Sequence, residues 1–246
     1  MINLVVPMVG SSQFFDDATY KYPKPLLEIN GKTMIELFID NFRKIFQNIN
    51  FIFVVNEEDC RKFHLDNILN ILTENNCEVI KISNQTKGAA CSVLMAIKSI
   101  NNDLPLIISN SDQILDVDFS DVISSFRDVD AGVITFDSVH PRWSYVREDG
   151  KGGVVETAEK KPLSNKAIAG FYYFSKGVDF VNSAFEMIKK DASIDRNYYI
   201  SPVFNELVLS NKKIKSFHIE TGKYHTFYTP QKIEEYERQH HEIGTN

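Results

Sequence analysis

The feature that most constrains this chain is an alternation. Through its first 109 residues, short runs of β-branched and aromatic apolar residues take turns with longer stretches whose apolar residues recur every three or four positions. The runs at 2–6, 51–55, 78–82 and 105–109 predict strands. The stretch 34–46, with Ile35, Phe38, Ile39, Phe42, Ile45 and Phe46 at helical spacing, predicts a helix, as do 57–74 (Phe63, Ile68, Leu69, Leu72) and 89–100. Strand–helix alternation argues for a mostly parallel sheet with helices on both faces. Strands buried on both faces read as unbroken apolar runs, as these do. Ligands of such sheets sit beyond the C-terminal strand ends, so the loops after Val6, Val55, Ile82 and Ser109 are the ones to inspect. Past residue 130 the pattern changes. Strands are predicted at 131–136, 153–157, 169–174 and 214–219, and helices at 179–189, 201–210 (Pro202 in its first turn) and 230–240.

A chain of 246 residues, 43% hydrophobic, has ample core for one large domain, 1–246, with no repeat or flexible linker dividing it. Its halves, 1–130 and 131–246, differ only in pattern. A net charge of −6 with the charges dispersed disfavours a nucleic-acid partner. The three cysteines, Cys60, Cys77 and Cys91, show no CxxC spacing, so a disulfide framework or zinc site is not expected. The opening residues lack a basic segment and a long apolar run. A cytoplasmic protein without membrane contact is expected.

The chemistry-bearing residues fall in those loops. Pro7-Met8-Val9-Gly10-Ser11-Ser12-Gln13-Phe14 follows a buried strand, and its small residues suit backbone N–H contacts to phosphate. In Tyr22-Pro23-Lys24-Pro25, two prolines stiffen the backbone around Lys24 and aim a point charge. Asn30-Gly31 reads as a tight turn. Asp112, in Asn110-Ser111-Asp112-Gln113, stands at the tip of a buried strand. Trp143 and Tyr145 fit surface packing or a wall of a sugar site equally. The scattered His225, His240 and His241 do not suggest metal ligands.

Together these segments resemble the sugar-phosphate nucleotidyltransferases. Pro-Lys-Pro-Leu, Asn-Gly-Lys and Met-Ile-Glu resemble the family's opening. Thr86-Lys87-Gly88-Ala89, Asn110 to Gln113, Glu159-Lys160-Lys161-Pro162 and Ala169-Gly170-Phe171-Tyr172 follow in the family's order. The nearest forms by this resemblance are the short ones of capsule and lipopolysaccharide gene clusters. The resemblance implies a three-layer Rossmann-like fold with a mostly parallel central sheet and a smaller mixed-sheet lid. Residues 1–130 would bind a nucleoside triphosphate and 131–246 a sugar phosphate. Asp112 would hold Mg²⁺, and Lys24 would face the triphosphate. Pro7, Met8, Gly10, Ser11, Ser12, Gln13, Thr86, Gly88 and Ala89 would line the nucleotide. Asn110, Gln113, Glu159, Gly170 and Tyr172 would line the acceptor, and Lys160 or Lys161 would hold its phosphate. Self-association is common among such proteins.

Two departures stand out. Gln13 or Phe14 stands where the family carries a phosphate-gripping arginine, and Thr226 stands where many relatives carry a second metal-binding aspartate. Asp116 and Asp118, alternating with apolar residues, would share one face of an extended segment; they read first as a solvated edge, and second as help to the metal from the same loop. The lost arginine leaves two other readings open. One is a glycosyltransferase of A-type fold that uses a nucleotide-sugar, with Asp116-Val117-Asp118 as its Asp-x-Asp motif. The other is a nucleotide-binding homologue without catalysis.

Overall fold

The computed structural model describes residues 1–10, 14–15, 19–43 and 48–241. Ser11, Ser12 and Gln13 lie outside the described residues, as does the 44–46 end of the first expected helix. In chain order the elements begin with β1 (Ile2–Met8), the hairpin pair β2 (Glu28–Ile29) and β3 (Lys32–Thr33), α1 (Met34–Arg43), β4 (Ile49–Asn56), α2 (Glu57–Phe63), α3 (Leu65–Leu72) and β5 (Cys77–Ile82). Then follow α4 (Ala89–Leu94), α5 (Ile97–Ile100), β6 (Leu106–Ser109), β7 (Gln113–Leu115), α6 (Phe119–Ser125), β8 (Ala131–Asp137) and β9 (Ser144–Glu148). The chain ends with β10 (Val154–Glu159), β11 (Lys166–Phe174), α7 (Gly177–Lys189), α8 (Val203–Leu209), β12 (Ile214–His218), β13 (Tyr224–Thr226) and α9 (Pro230–His241).

Nine of the strands form one sheet. Its parallel half runs β5-β4-β1-β6, and β11 joins β6 antiparallel. Antiparallel to β11 lie β8 and β9, β10 pairs antiparallel with the far edge of β9, and β12 extends β8 in parallel. Side chains of β1 alternate between the faces: Leu4 and Val6 join Phe38, Phe42, Phe53 and Phe119 on one side, while Val5 joins Val93, Phe180 and Phe204 on the other. The first layer is α1, α2, α3 and α6; the second is α4, α5, α7 and α8. The three-layer α/β expectation therefore holds. Burial of each large apolar chain of α1 (Met34, Ile35, Phe38, Ile39, Phe42) is worth about 1.5–3 kcal/mol.

Two expected helices are broken. The 57–74 helix turns at His64, whose φ of 53° is left-handed and caps α2, a conformation in which His is enriched. The 89–100 helix tightens at Met95 and Ala96, whose N–H groups bond three residues back, to Ser92 and Val93. The Asn30-Gly31 turn has φ of 51° and 78° and closes β2–β3, as a type I′ turn requires. Unforeseen from the sequence were β7, β9, β13 and α6.

Because β1 has β4 on one side and β6 on the other, the chain reverses its strand order between β1 and β6. The loops leaving those two strands diverge there, which opens a crevice at their C-terminal ends.

Candidate active site

Lys24 and Asp112 meet in that crevice. Lys24 opens a single 3-10 turn, Lys24–Leu26, with Pro23 held extended at φ −63°, ψ 151° before it. The N–H groups of Leu26 and Leu27 bond back to Pro23 and Lys24, so the backbone that carries the ammonium is fixed. Its Nζ lies 2.5 Å from Asp112 Oδ2, with the two side chains 18% and 25% exposed. It also stands 5.1 Å from the Phe15 ring and 5.8 Å from the Tyr228 ring.

Asp112 is aimed by its neighbours. Asn110 N–H donates to the Gly170 carbonyl at 3.1 Å, and the Asp112 carbonyl accepts from Phe227 N–H at 2.8 Å. Gln113 is buried; its amide donates to the Gly170 carbonyl at 3.1 Å and accepts from the Tyr224 hydroxyl at 3.2 Å. Gly170 has φ of 59°, and an added Cβ would lie 2.3 Å from Gln113 Oε1. Gln113 and Gly170, expected on the acceptor, thus sit behind the pocket wall and brace the Asp112 loop.

A pocket of about 210 Å³ is lined by Pro7, Met8, Gly10, Lys24, Pro25, Asn110, Ser111, Asp112 and Tyr228. It adjoins a larger cleft of about 550 Å³ that shares Met8, Gly10, Lys24 and Pro25 and extends to Tyr22, Asn56, Glu58, Lys62 and Gln85. The combined shape suits an elongated ligand with its charged part at Lys24 and Asp112. Among the described residues, no three His, Cys, Asp or Glu side chains converge as a metal cage. A lone carboxylate suits Mg²⁺, which retains waters and takes one or two carboxylates plus ligand phosphates.

The other expected residues lie apart from these two cavities. Thr86 Oγ1 bonds Ser92 Oγ at 2.6 Å and the Gly88 carbonyl at 3.1 Å. Gly88 has φ of 104°, and an added Cβ would lie 2.5 Å from the Tyr198 carbonyl oxygen. Ala89 opens α4 just behind it. Glu159 accepts from Ser201 Oγ at 2.7 Å and from Ser144 Oγ. Burial pushes its carboxyl up, against those two bonds and the nearby Lys160 charge. The buried Tyr172 phenol is pushed far up by desolvation, and the Glu159 charge adds to this. Lys160, at φ 56°, points to Asp195 Oδ2 at 3.3 Å and lies 5.0 Å from the Tyr199 ring. Lys161 is exposed.

Asp116 and Asp118 are both exposed, as a solvated edge requires. The strand ends at Leu115, and Asp118 caps α6, its carboxylate accepting from Ser120 N–H at 2.8 Å. Asp116 N–H bonds the Lys223 carbonyl. Neither residue lines the two cavities. Trp143 and Tyr145 are packing residues. Trp143 meets Phe136 and Tyr224, and the fully buried Tyr145 donates to the His140 carbonyl at 2.6 Å. All three thiols are at least half-buried and pushed up by burial, and no helix among the described residues is long and apolar enough to cross a membrane.

Against this geometry, residues 10–223 match the profile described as "Nucleotidyl transferase". The chain belongs to that family. The bifunctional protein GlmU of Methanococcus aeolicus is 25% identical over 233 residues, which are 90% of this chain and 52% of GlmU. The chain therefore spans about half the length of this curated relative. Its fold is similar to that of a nucleoside-diphosphate-sugar pyrophosphorylase from Vibrio cholerae RC9, with a TM-score of 0.84 and 23% identity over 96% of this chain and 100% of that one. It is also similar to an inositol-1-phosphate CTP transferase from T. maritima, with a TM-score of 0.72 and 14% identity over 94% and 90%.

Lining residues missed from sequence include Gln85, Tyr228 and Phe15. Gln85 follows β5 directly, so the strand-end rule had already marked its loop. Tyr228 and Phe15 come from segments that carry no phosphate-binding chemistry, and only folding brings their rings to Lys24.

Proposed function

We propose that this protein transfers a nucleoside monophosphate from a nucleoside triphosphate to a sugar-1-phosphate or similar small phosphate, with release of pyrophosphate, for surface-polysaccharide synthesis. The observation that carries this reading is the convergence of Lys24 and Asp112 in one crevice at the switch point of the sheet. In the reaction an acceptor phosphate oxygen attacks the α-phosphorus, a new P–O bond forms, and the bond to the β-phosphate oxygen breaks. Lys24, carried on a fixed backbone turn, neutralises phosphate charge. Pro7, Met8 and Gly10 bring the ligand in line, and the larger cleft with Gln85 takes the nucleoside. Mg²⁺ bound at Asp112 would neutralise charge shared between phosphates.

In this reading residues 1–130 serve the nucleotide and 131–246 the acceptor, with Glu159 on acceptor hydroxyls and Lys160 or Lys161 on its phosphate. The Lys24–Asp112 ion pair supports a ligand-driven rearrangement, because both groups must turn from each other toward phosphate and cation. The protein would work in the cytoplasm on small molecules, as a homo-oligomer, without nucleic acid or membrane.

The test is pyrophosphate release from each common triphosphate with Mg²⁺ and a panel of sugar and polyol phosphates. Release with one pair supports the proposal; silence with every pair counts against it. A non-catalytic nucleotide binder is the second reading, favoured by Phe14. Phe14, which with Gln13 is a candidate for the position of the family's arginine, packs its ring edge on Tyr228 at 5.1 Å. Mg²⁺-dependent nucleotide binding without turnover would select it.

A further inference from the structure

Arg142 is an unusual cation. Its guanidinium carbon lies 3.9 Å from the centre of the Tyr228 ring and 4.6 Å from that of Trp143. Its Nη2 is buried and has no hydrogen-bond partner. Among the described residues no carboxylate pairs with it. A buried N–H donor left unmade costs about 1–3 kcal/mol, more on a charged group, so such a group usually has a partner in some state of the protein.

The surroundings indicate which partner. Tyr228, which covers the guanidinium, is also a wall of the pocket that holds Lys24 and Asp112. The Tyr224 hydroxyl feels both the Asp112 and the Arg142 charges, in opposite senses, so the guanidinium is electrostatically close to the Asp112 loop. The two rings hold the cation by cation–π contact, which consumes none of its donors. That presentation suits a planar fork for bidentate recognition of an oxyanion. The Tyr228 ring, 39% exposed, thus touches the guanidinium and lines the pocket.

We infer that Arg142 is a phosphate-binding residue of this pocket, reached when the Tyr228 ring gives way, and that it supplies the second cation opposite Lys24. This rests on the nucleotidyltransferase reading only in the naming of the ligand. The chemistry recognised is a phosphate oxyanion. It could belong to the triphosphate or to the acceptor.

The test compares the wild type with Arg142→Met, which keeps the unbranched apolar stem between the rings and removes the charge, and with Arg142→Lys. Each is titrated calorimetrically with inorganic pyrophosphate, with glucose 1-phosphate and with uncharged nucleosides, all in Mg²⁺. A loss of tenfold or more in phosphate-ligand affinity for Arg142→Met, partial recovery in Arg142→Lys and unchanged nucleoside affinity are expected. Loss confined to pyrophosphate assigns Arg142 to the triphosphate; loss confined to glucose 1-phosphate assigns it to the acceptor. Unchanged phosphate binding overturns the inference. So does an equal loss for nucleosides, since that marks a packing role. A wild type that binds pyrophosphate through Arg142 but turns nothing over refutes the catalytic reading and leaves this site standing. A wild type that turns over while Arg142→Met matches it refutes this site alone.

Discussion

Asp112→Asn separates function from stability at the centre of the site. The substitution preserves shape and removes one charge. Its structural cost is small because the asparagine amide oxygen can still accept from Lys24, and neither side chain is sealed from solvent, at 18% and 25% exposed. Exchanging a charge-assisted for a neutral hydrogen bond costs about 1 kcal/mol. For a chain of this size that is a fall of about 2–4 °C in Tm. The functional cost is of another order. An electrostatic group aimed at developing phosphate charge contributes about 2.7–4 kcal/mol, or a rate factor of 10²–10³. The backbone bonds that aim the loop, from Asn110 to Gly170 and from Phe227 to Asp112, do not involve the substituted carboxylate, so loop geometry should persist. The assay is pyrophosphate release with the pair found in the ligand panel. It is accompanied by nucleotide titration with and without Mg²⁺, and by thermal unfolding followed by circular dichroism. The expected result is a hundredfold or greater loss of rate and loss of the Mg²⁺ effect on nucleotide binding, with Tm within 4 °C of the wild type. A rate within fivefold of the wild type, or an intact Mg²⁺ effect, would refute the assignment. A large fall in Tm would show that the carboxylate mainly holds the fold.

Gly88→Ala should destabilise by at least ~2 kcal/mol, since φ of 104° is a glycine conformation and the added Cβ meets the Tyr198 backbone at 2.5 Å; urea unfolding measures it, and a change below 0.5 kcal/mol contradicts it. Gly170→Ala should lower activity more than stability, because its Cβ would push Gln113 and Asn110 and move the Asp112 loop; equal kcat in variant and wild type would disprove the coupling. Glu159 has its carboxyl raised by burial, so the folded state binds its proton more tightly than the unfolded state does. That contribution is complete below the unfolded pKa and is lost as pH rises through the folded value. Glu159→Gln should therefore be more stable than the wild type at pH 8, with the gap closing as pH falls toward the ordinary carboxylate range. A gap that widens on acidification would reverse the sign.

How much of this was legible in the sequence depends on the range of the interaction that fixes each feature. Strands β1, β4, β5 and β6 were legible because burial on both faces writes itself as an unbroken apolar run. Lys24 was legible because its rigidity is local, set by the prolines on either side. The breaks at His64 and Met95 were not, because periodicity continues across a break when both pieces pack on the same sheet. Strand β9 hid behind Pro141 and Arg142, and β7 and β13 are three residues each, paired only with one another. The capping role of Asp118 was not legible because α6 starts earlier than an alternating pattern can reveal, and a helix start consumes an aspartate as its cap.

The least legible feature is the one that shapes the site. β11 pairs with β9 at Ala167, shifts register against β8 between Ile168 and Tyr172, and pairs with β6 from Phe171 onward. The change of neighbours falls at Gly170, whose left-handed conformation turns its carbonyl to receive both Asn110 N–H and the Gln113 amide. The Asp112 loop is thus held by an irregularity in a strand about sixty residues later, which leaves its pairing with β9 in the second half and then runs along β6 in the first. A strand that crosses from one half to the other and braces the Asp112 loop at its kink gives the two halves one shared support. Movement of the acceptor side would then be felt at Asp112 through a single glycine, whereas Lys24, on its own proline-fixed turn, would stay in place.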